Sequence, residues 1–361
     1  MKTRRQGSGL TIAVLGAGSW GTTLAILLDG NGHSVRLWEY FPELAETIRR
    51  ERENRLFLPG IPVPRSVCIT SDMDEALAEA SRIVFVTPSH TVRGVARIVR
   101  SSSAFDRRAI VINAAKGLEE KTLCRMSEVL VQELPTPKRR IVGLLGPSHA
   151  EEVSVRMPTS VVVAGSDPEV LKEIQGCFMN EYFRVYTNTD LIGVELGVSL
   201  KNTIAIAAGI CDGLGFGDNT KAALITRGLA EIKRLACRMG GREETLSGLA
   251  GVGDLIVTCM SRHSRNRHVG EEIGRGKRLP QILSEMVMVA EGVKTTRAAV
   301  KLAARVGVEM PIAEQVHRVL FRGKDPRRAI KDLMIRSAKR EMERYRTKEG
   351  DTRPLKRMRG K

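Results

Sequence analysis

Three groups of residues in this 361-residue chain have types and spacings suited to chemistry. The first is Gly16-Ala17-Gly18-Ser19-Trp20-Gly21, placed between the apolar run Ile12–Leu15 and the helical stretch Thr22–Leu28. In that setting Gly16 allows a tight turn, Gly18 lets the backbone approach a pyrophosphate, and Gly21 lets the helix lie close to the strand. The pyrophosphate would rest on free N–H groups at the positive end of that helix. Glu39 ends the next apolar run, Val35–Trp38, 23 residues after Gly16. An acid at that place holds ribose hydroxyls, so the pattern predicts dinucleotide binding rather than an ordinary strand–helix turn. A carboxylate there also opposes a 2′-phosphate, which favours NAD(H) over NADP(H); Arg36 and the positive net charge pull the other way.

The second group is a pair of lysines. Lys201 lies inside the apolar stretch Ile192–Ile210, with Gly197, Val198, Ile204, Ala205 and Ala208 as its helical neighbours. A lysine facing such a stripe is desolvated, which lowers its pKa and lets it exchange a proton near neutrality. The alternative is an ammonium that snorkels out to water. Lys116, in Asn113-Ala114-Ala115-Lys116-Gly117, is a lone cation among small residues just after the run Ile110–Ile112. Thr87-Pro88-Ser89-His90 and Gly146-Pro147-Ser148-His149-Ala150 occupy similar places after Ile83–Val86 and Ile141–Leu145. Open parallel sheets bind ligands at such strand ends.

The third group lies further on. The stretch Gly248–Thr258 reads as a glycine-rich loop before Asp254, whose carboxylate could accept from Lys201. Beyond it Ser264-Arg265-Asn266-Arg267 offers a hydroxyl, an amide and guanidinium groups, a set suited to phosphate. Alone, such a run is more often a basic surface turn.

Elements must position these groups. In the first half, continuous apolar runs (Ile12–Leu15, Val35–Trp38, Ile83–Val86, Ile110–Ile112, Ile141–Leu145, Val161–Val163 and Phe183–Tyr186) predict strands buried on both faces. Between them, Thr22–Leu28, Leu44–Arg52, Asp74–Ala80, Leu123–Leu134 and a segment opened by Asp167-Pro168 read as helices. Alternation of this kind predicts an α/β fold, a Rossmann-type doubly wound parallel sheet over residues 1–190. From about Leu191 only helical periodicity remains: Ile192–Ile210, Thr220–Met239, Thr295–Val306, Pro311–Arg322 and Pro326–Arg336. Residues 191–336 are thus expected to form an all-helical substrate and catalytic domain.

Composition removes other classes. An apolar share of 42% excludes a disordered chain as a whole. Ile192–Ile210 is apolar enough to suggest a membrane span, yet Glu195 and Lys201 would each cost about 2.5–3.5 kcal/mol near a helix centre in lipid. It therefore reads as a buried helix, with both charges kept for chemistry. The six cysteines show no metal-ligand or Cys-x-x-Cys spacing, so no metal is expected and the thiols suit a reducing compartment, the cytoplasm. The net charge of +17 is partly local: residues 336–361 carry 11 Lys or Arg against 4 Asp or Glu. Residues 337–361 read as a basic, disordered tail with no nucleic-acid recognition motif.

With these pieces placed, the chain closely resembles the bacterial NAD(P)-dependent sn-glycerol-3-phosphate dehydrogenases from about Leu10 to Arg336. The resemblance rests on GAGSWGTTLA at 16–25, AAKGLE at 114–119, GPSHAEEV at 146–153 and LKNTIAIAAGICDGLGFGDNTKAALITRGLAE at 200–231. LAGVGDLIVTC at 249–259, SRNR at 264–267, VAEGVKT at 289–295 and GVEMPI at 307–312 continue it. It implies reversible reduction of dihydroxyacetone phosphate to sn-glycerol 3-phosphate, a phospholipid precursor, by a homodimer. It also implies that Lys201 is the proton donor and acceptor. Lys116, Gly146, Ser148, Asp254, Ser264, Arg265 and Asn266 would line the substrate beside it. Ser19, Trp20, Tyr40, Lys116, Ala150, Arg265, Val289 and Glu291 would join Gly16, Gly18, Gly21 and Glu39 around the cofactor. Two alternatives stand beside this reading: a related two-domain hydroxy-acid dehydrogenase, and a non-catalytic dinucleotide sensor.

Overall fold

The computed structural model describes residues 9–338, 340 and 341, so the basic tail expected from 337 onward lies almost wholly outside the described residues. Eight strands form one sheet: β1 (Thr11–Leu15), β2 (Ser34–Trp38), β3 (Cys68–Thr70), β4 (Arg82–Phe85), β5 (Ile110–Asn113), β6 (Ile141–Leu145), β7 (Thr159–Ala164) and β8 (Phe183–Asn188). Their order is β3-β2-β1-β4-β5-β6-β7-β8. The first six run parallel, β7 is antiparallel to β6, and β8 is parallel to β7. Alternate residues face opposite sides, as the two-residue repeat of a strand requires. Ile12, Val14, Leu37, Val84 and Ile112 enter one core layer, and Ala13, Leu15, Ile83, Phe85 and Val111 the other. Helices cover both layers, so the continuous apolar runs are explained. Strand order reverses between β1 and β4, and the crevice at their carboxyl ends is where such sheets take ligands.

The second half is built around the helix Leu191–Gly213. It is buried without a break from Gly193 to Cys211 because its neighbours surround it. By length and composition this helix would pass for a membrane span, yet nearly nine-tenths of its most apolar window is inside the protein. A helix apolar on every side belongs in a core. Asp190 starts it, with Oδ1 accepting from the Gly193 N–H at 2.8 Å. The helix Arg265–Gly274 crosses it with backbone touching backbone. A Cβ on Gly209 would overlap the Arg267 carbonyl, and one on Gly270 the Ile206 carbonyl.

Several expectations need correction. β3 and the helix Val92–Ser101 are additions to the expected elements. The helix expected over Leu123–Leu134 spans only Met126–Glu133, because Leu123 has a left-handed backbone, φ 65°. The helix expected from Thr295 starts at Glu291. The stretch Gly248–Thr258 is not a loop but a π-turn, Leu249–Gly253, running into the helix Asp254–Met260. Glu195 is not held for chemistry either. Its carboxylate accepts from Arg125 Nη1 (2.6 Å), the Ser127 N–H (2.8 Å) and Ser127 Oγ (2.6 Å), which ties the long helix to the start of Met126–Glu133.

The glycine crossing yields a test. Gly209→Ala should destabilise the protein by about 3 kcal/mol, since an added methyl must push the packed backbones of both helices apart. Urea unfolding measures it; an unchanged midpoint would contradict the packing described.

Candidate active site

Burial assembles the centre. Lys201, on the buried helix, is 4% exposed, and Asp254, at the first turn of Asp254–Met260, is 1% exposed. Their side chains form an ion pair. Lys201 Nζ also donates to Thr258 Oγ1 at 2.6 Å, and that hydroxyl donates to the Asp254 carbonyl at 2.6 Å. From the sheet side, Lys116 Nζ reaches Asp254 Oδ2 at 3.2 Å and donates to the Gly146 carbonyl at 2.7 Å. One buried carboxylate is therefore shared by two ammonium groups from the two halves of the chain. Burial, followed by the repulsion of Lys116, outweighs the attraction of Asp254 and lowers Lys201 to about 7.

The strand-end loops are shaped for this. Gly146 has φ 139°, and a Cβ there would press on Val161 Cα at 3.2 Å. The turn needs glycine, and it presents its carbonyl to Lys116 and to Ser148 Oγ, 3.1 Å away. The Lys116 loop is fixed by Ser199, whose hydroxyl accepts from the Gly117 N–H (3.1 Å) and donates to the Gly117 carbonyl (3.2 Å). His149 sits beside this cluster. Burial and the two lysines hold its imidazole down to about 4, hence neutral at neutral pH.

A second corner lies beside the first. Ser264 caps the helix Arg265–Gly274, its hydroxyl accepting from the Arg267 N–H at 3.2 Å. Asn266 is buried, and its Oδ1 accepts from the Gly292 N–H at 2.8 Å, which leaves its amide N–H groups for another acceptor. Gly292 in turn packs against the carbonyl of Asn202, the residue after Lys201. Arg265 is exposed, with Glu291 and Glu151 as its acidic neighbours. Glu291 binds across to the sheet, accepting from the Ser89 N–H at 3.0 Å and Ser89 Oγ at 2.6 Å. Val289 is partly exposed two residues before it. Arg267 turns away from this corner to Asp212 and Glu271.

The glycine-rich turn fits a dinucleotide. Gly16 has φ 114°, and a Cβ there would meet Thr87 at 2.8 Å. A Cβ on Gly21 would overlap the Gly16 carbonyl, whereas the space around Gly18 is open. The helix Ser19–Gly30 has no side-chain cap, so its first N–H groups are left for a phosphate. Ser19 and Trp20 are half-buried at its start. Ala150 closes the far side, its carbonyl accepting from Thr23 Oγ1 at 3.4 Å. Glu39 Oε2 accepts from the Ala17 N–H at 3.2 Å, and burial raises its pKa. Tyr40 beside it is 60% exposed, its ring against Phe41.

The structure thus brings Lys116, Gly146, Ser148, Lys201 and Asp254 into one cluster, with Ser264, Arg265, Asn266, Val289 and Glu291 in the adjoining corner. Gly16, Gly18, Ser19, Trp20, Gly21, Glu39 and Tyr40 lie around the crevice mouth. Sequence reasoning missed Thr258, although its four-residue offset from Asp254 would have marked it once that stretch was read as helical.

Comparison with known proteins agrees with this geometry. The N-terminal model of the NAD-dependent glycerol-3-phosphate dehydrogenases matches residues 11–171, and their C-terminal model matches residues 190–331. The chain belongs to the NAD-dependent glycerol-3-phosphate dehydrogenase family. A glycerol-3-phosphate dehydrogenase [NAD(P)+] of Chlorobium phaeobacteroides is 52% identical over 92% of this chain and 99% of its own length. One from Pelotomaculum thermopropionicum is 53% identical over 92% of this chain and 95% of its own length. The crystal structure of glycerol-3-phosphate dehydrogenase from Coxiella burnetii superposes with a TM-score of 0.87 at 39% identity, covering 91% of this chain and 99% of that one. For this family member, lysine side-chain NMR is expected to place the Lys201 titration near 7. In Asp254→Asn it should titrate lower, because the anion that favours its charged form is gone. A titration near the ordinary lysine value would contradict the burial described.

Proposed function

We propose that the protein catalyses the reversible reduction of dihydroxyacetone phosphate to sn-glycerol 3-phosphate, with Lys201 as proton donor and acceptor. The observation that carries this is the buried Lys201 ammonium, poised near neutrality beside Asp254 and Lys116, next to a corner suited to phosphate. Gly16, Gly18, Ser19, Trp20, Gly21, Glu39 and Tyr40, together with Lys116, Ala150, Arg265, Val289 and Glu291, would hold a nicotinamide dinucleotide, which would supply or accept the hydride when bound.

This chain's residues do the rest. Arg265 and Asn266 grip the substrate phosphate, Arg through parallel hydrogen bonds and Asn through its free amide, while Ser264 holds the helix start that presents them. Gly146 and Ser148 bound the substrate on the sheet side. As the ketone carbon is reduced, negative charge grows on its oxygen. Lys201 stabilises that charge and delivers a proton, and Lys116 adds a second positive field. Asp254 keeps both ammonium groups oriented, and Thr258 fixes the direction of Lys201. In the reverse direction neutral Lys201 takes the hydroxyl proton.

The remaining roles follow the same reading. Glu39 opposes a 2′-phosphate, so NAD(H) is the favoured cofactor. We divide the chain near residue 190, and we assign the protein to the cytoplasm as a homodimer whose product enters phospholipid synthesis.

Oxidation of NADH and NADPH with dihydroxyacetone phosphate, and with unphosphorylated dihydroxyacetone, tests the proposal. Turnover should require the phosphate and prefer NADH. Ketone reduction needs protonated Lys201, so its rate should fall as pH rises through about 7, and alcohol oxidation should rise over the same range. Lys201→Ala should abolish turnover while NADH binding stays near normal. Arg265→Ala should chiefly raise KM for the phosphorylated substrate. Equal turnover of the unphosphorylated ketone would point instead to a dehydrogenase with another substrate, and no turnover with either would leave a dinucleotide-binding protein.

A further inference from the structure

Arg267 stands among the phosphate-directed residues yet serves a different contact. Its Nε donates to Asp212 Oδ2 at 2.6 Å, and its Nη1 lies 3.3 Å from Glu271 Oε2. The other Asp212 oxygen pairs with Lys221, on the helix Asp218–Arg238. All four side chains are less than one-fifth exposed, so water screens these pairs weakly. Asp212 lies in the last turn of the helix that carries Lys201, eleven residues on, or about 16 Å along the axis. Meanwhile the Arg267 N–H is held by Ser264, and Asn266 Oδ1 is held by the Gly292 N–H. Backbone packing at Gly209 and Gly270 leaves the two helices no room to slide. The first turn of Arg265–Gly274 is thus pinned from three sides, with the Arg265 guanidinium and the Asn266 amide left to meet a ligand.

We propose that Asp212, backed by Lys221, is a positioning residue for the substrate phosphate. By holding the Arg267 side chain, it fixes the helix start from which Arg265 and Asn266 grip. This rests on the reading of Arg265 and Asn266 as the phosphate grip. Because Asp212 and Lys201 share one rigid helix, the span from the phosphate to the proton donor is a property of that helix. Asp212 itself touches no substrate.

Asp212→Asn keeps the shape and removes the charge. With NADH and dihydroxyacetone phosphate, it should raise KM for the ketone about tenfold, the loss expected when a charge-assisted contact behind the grip weakens. The Ki of inorganic phosphate, a probe that needs only the grip, should rise in parallel. The KM for NADH should not move, and kcat should stay within about twofold, as for loss of uniform binding. Asp212→Glu, which keeps the carboxylate, should recover much of the lost affinity. In an Arg265→Ala background Asp212→Asn should add little, because it acts through the same grip. A fall in Tm with KM and Ki unmoved, or a full additive loss in the Arg265→Ala background, would overturn the positioning role alone. No wild-type turnover of dihydroxyacetone phosphate would overturn the underlying reading.

Discussion

One buried carboxylate organises the molecule. Asp254 pairs with Lys201 in the helical half and reaches Lys116 from the sheet, so cations of both halves meet at one carboxylate. Two ammonium groups this close repel, and the shared anion offsets that repulsion. Each must also be delivered to it. The long helix sets Lys201, and the turn after β5, clamped by Ser199, sets Lys116. The π-turn Leu249–Gly253 presents Asp254, and its Gly251 sits so close to Leu246 that a side chain would overlap the backbone. π-Turns of this kind recur at functional sites because they aim a side chain that a regular helix would misdirect.

The phosphate corner obeys the same logic with different materials. Its ligand-facing residues lie on a short helix that gains little from its own periodicity. The helix is placed instead by glycine-to-backbone packing and by the Asp212–Arg267 pair. In the proposed mechanism both the proton donor and the phosphate grip are therefore referenced to Leu191–Gly213. Near-attack geometry tolerates errors of well under 1 Å, and one helix buried from Gly193 to Cys211 is a better reference than two loops.

How much of this was legible depended on which force fixed each region. The Gly16–Gly21 turn and its sheet were readable because glycine positions and continuous apolar runs are local signals. Lys201 was readable because a cation inside an apolar helix is anomalous wherever it occurs. β3 was not, since three half-polar residues, Cys68–Thr70, take strand geometry only by pairing with β2. The helix Asp254–Met260 was hidden by the glycines before it, which favour turns locally and are overruled here by packing on the long helix. Glu195 reads as functional in the sequence because a buried charge alone does not say whether its partner is substrate or Arg125. The direction of Arg267 was equally illegible, because Asp212 stands 55 residues away in sequence.

The centre is not charge-balanced. Lys116 and Lys201 face one Asp254, so the described cluster holds an excess positive charge with neutral His149 beside it. Folding bears this burden. The lysine titrates near 10.4 in an unfolded chain and near 7 in the fold, so between those values the unfolded chain binds the extra proton. The contribution of Lys201 to stability therefore improves as pH rises from about 7 towards 10.4, and its burial is most costly below 7. In the proposed mechanism the charged lysine provides a field already in place for a phosphorylated ketone whose oxygen becomes negative as it is reduced, without reorganisation at the moment of reaction.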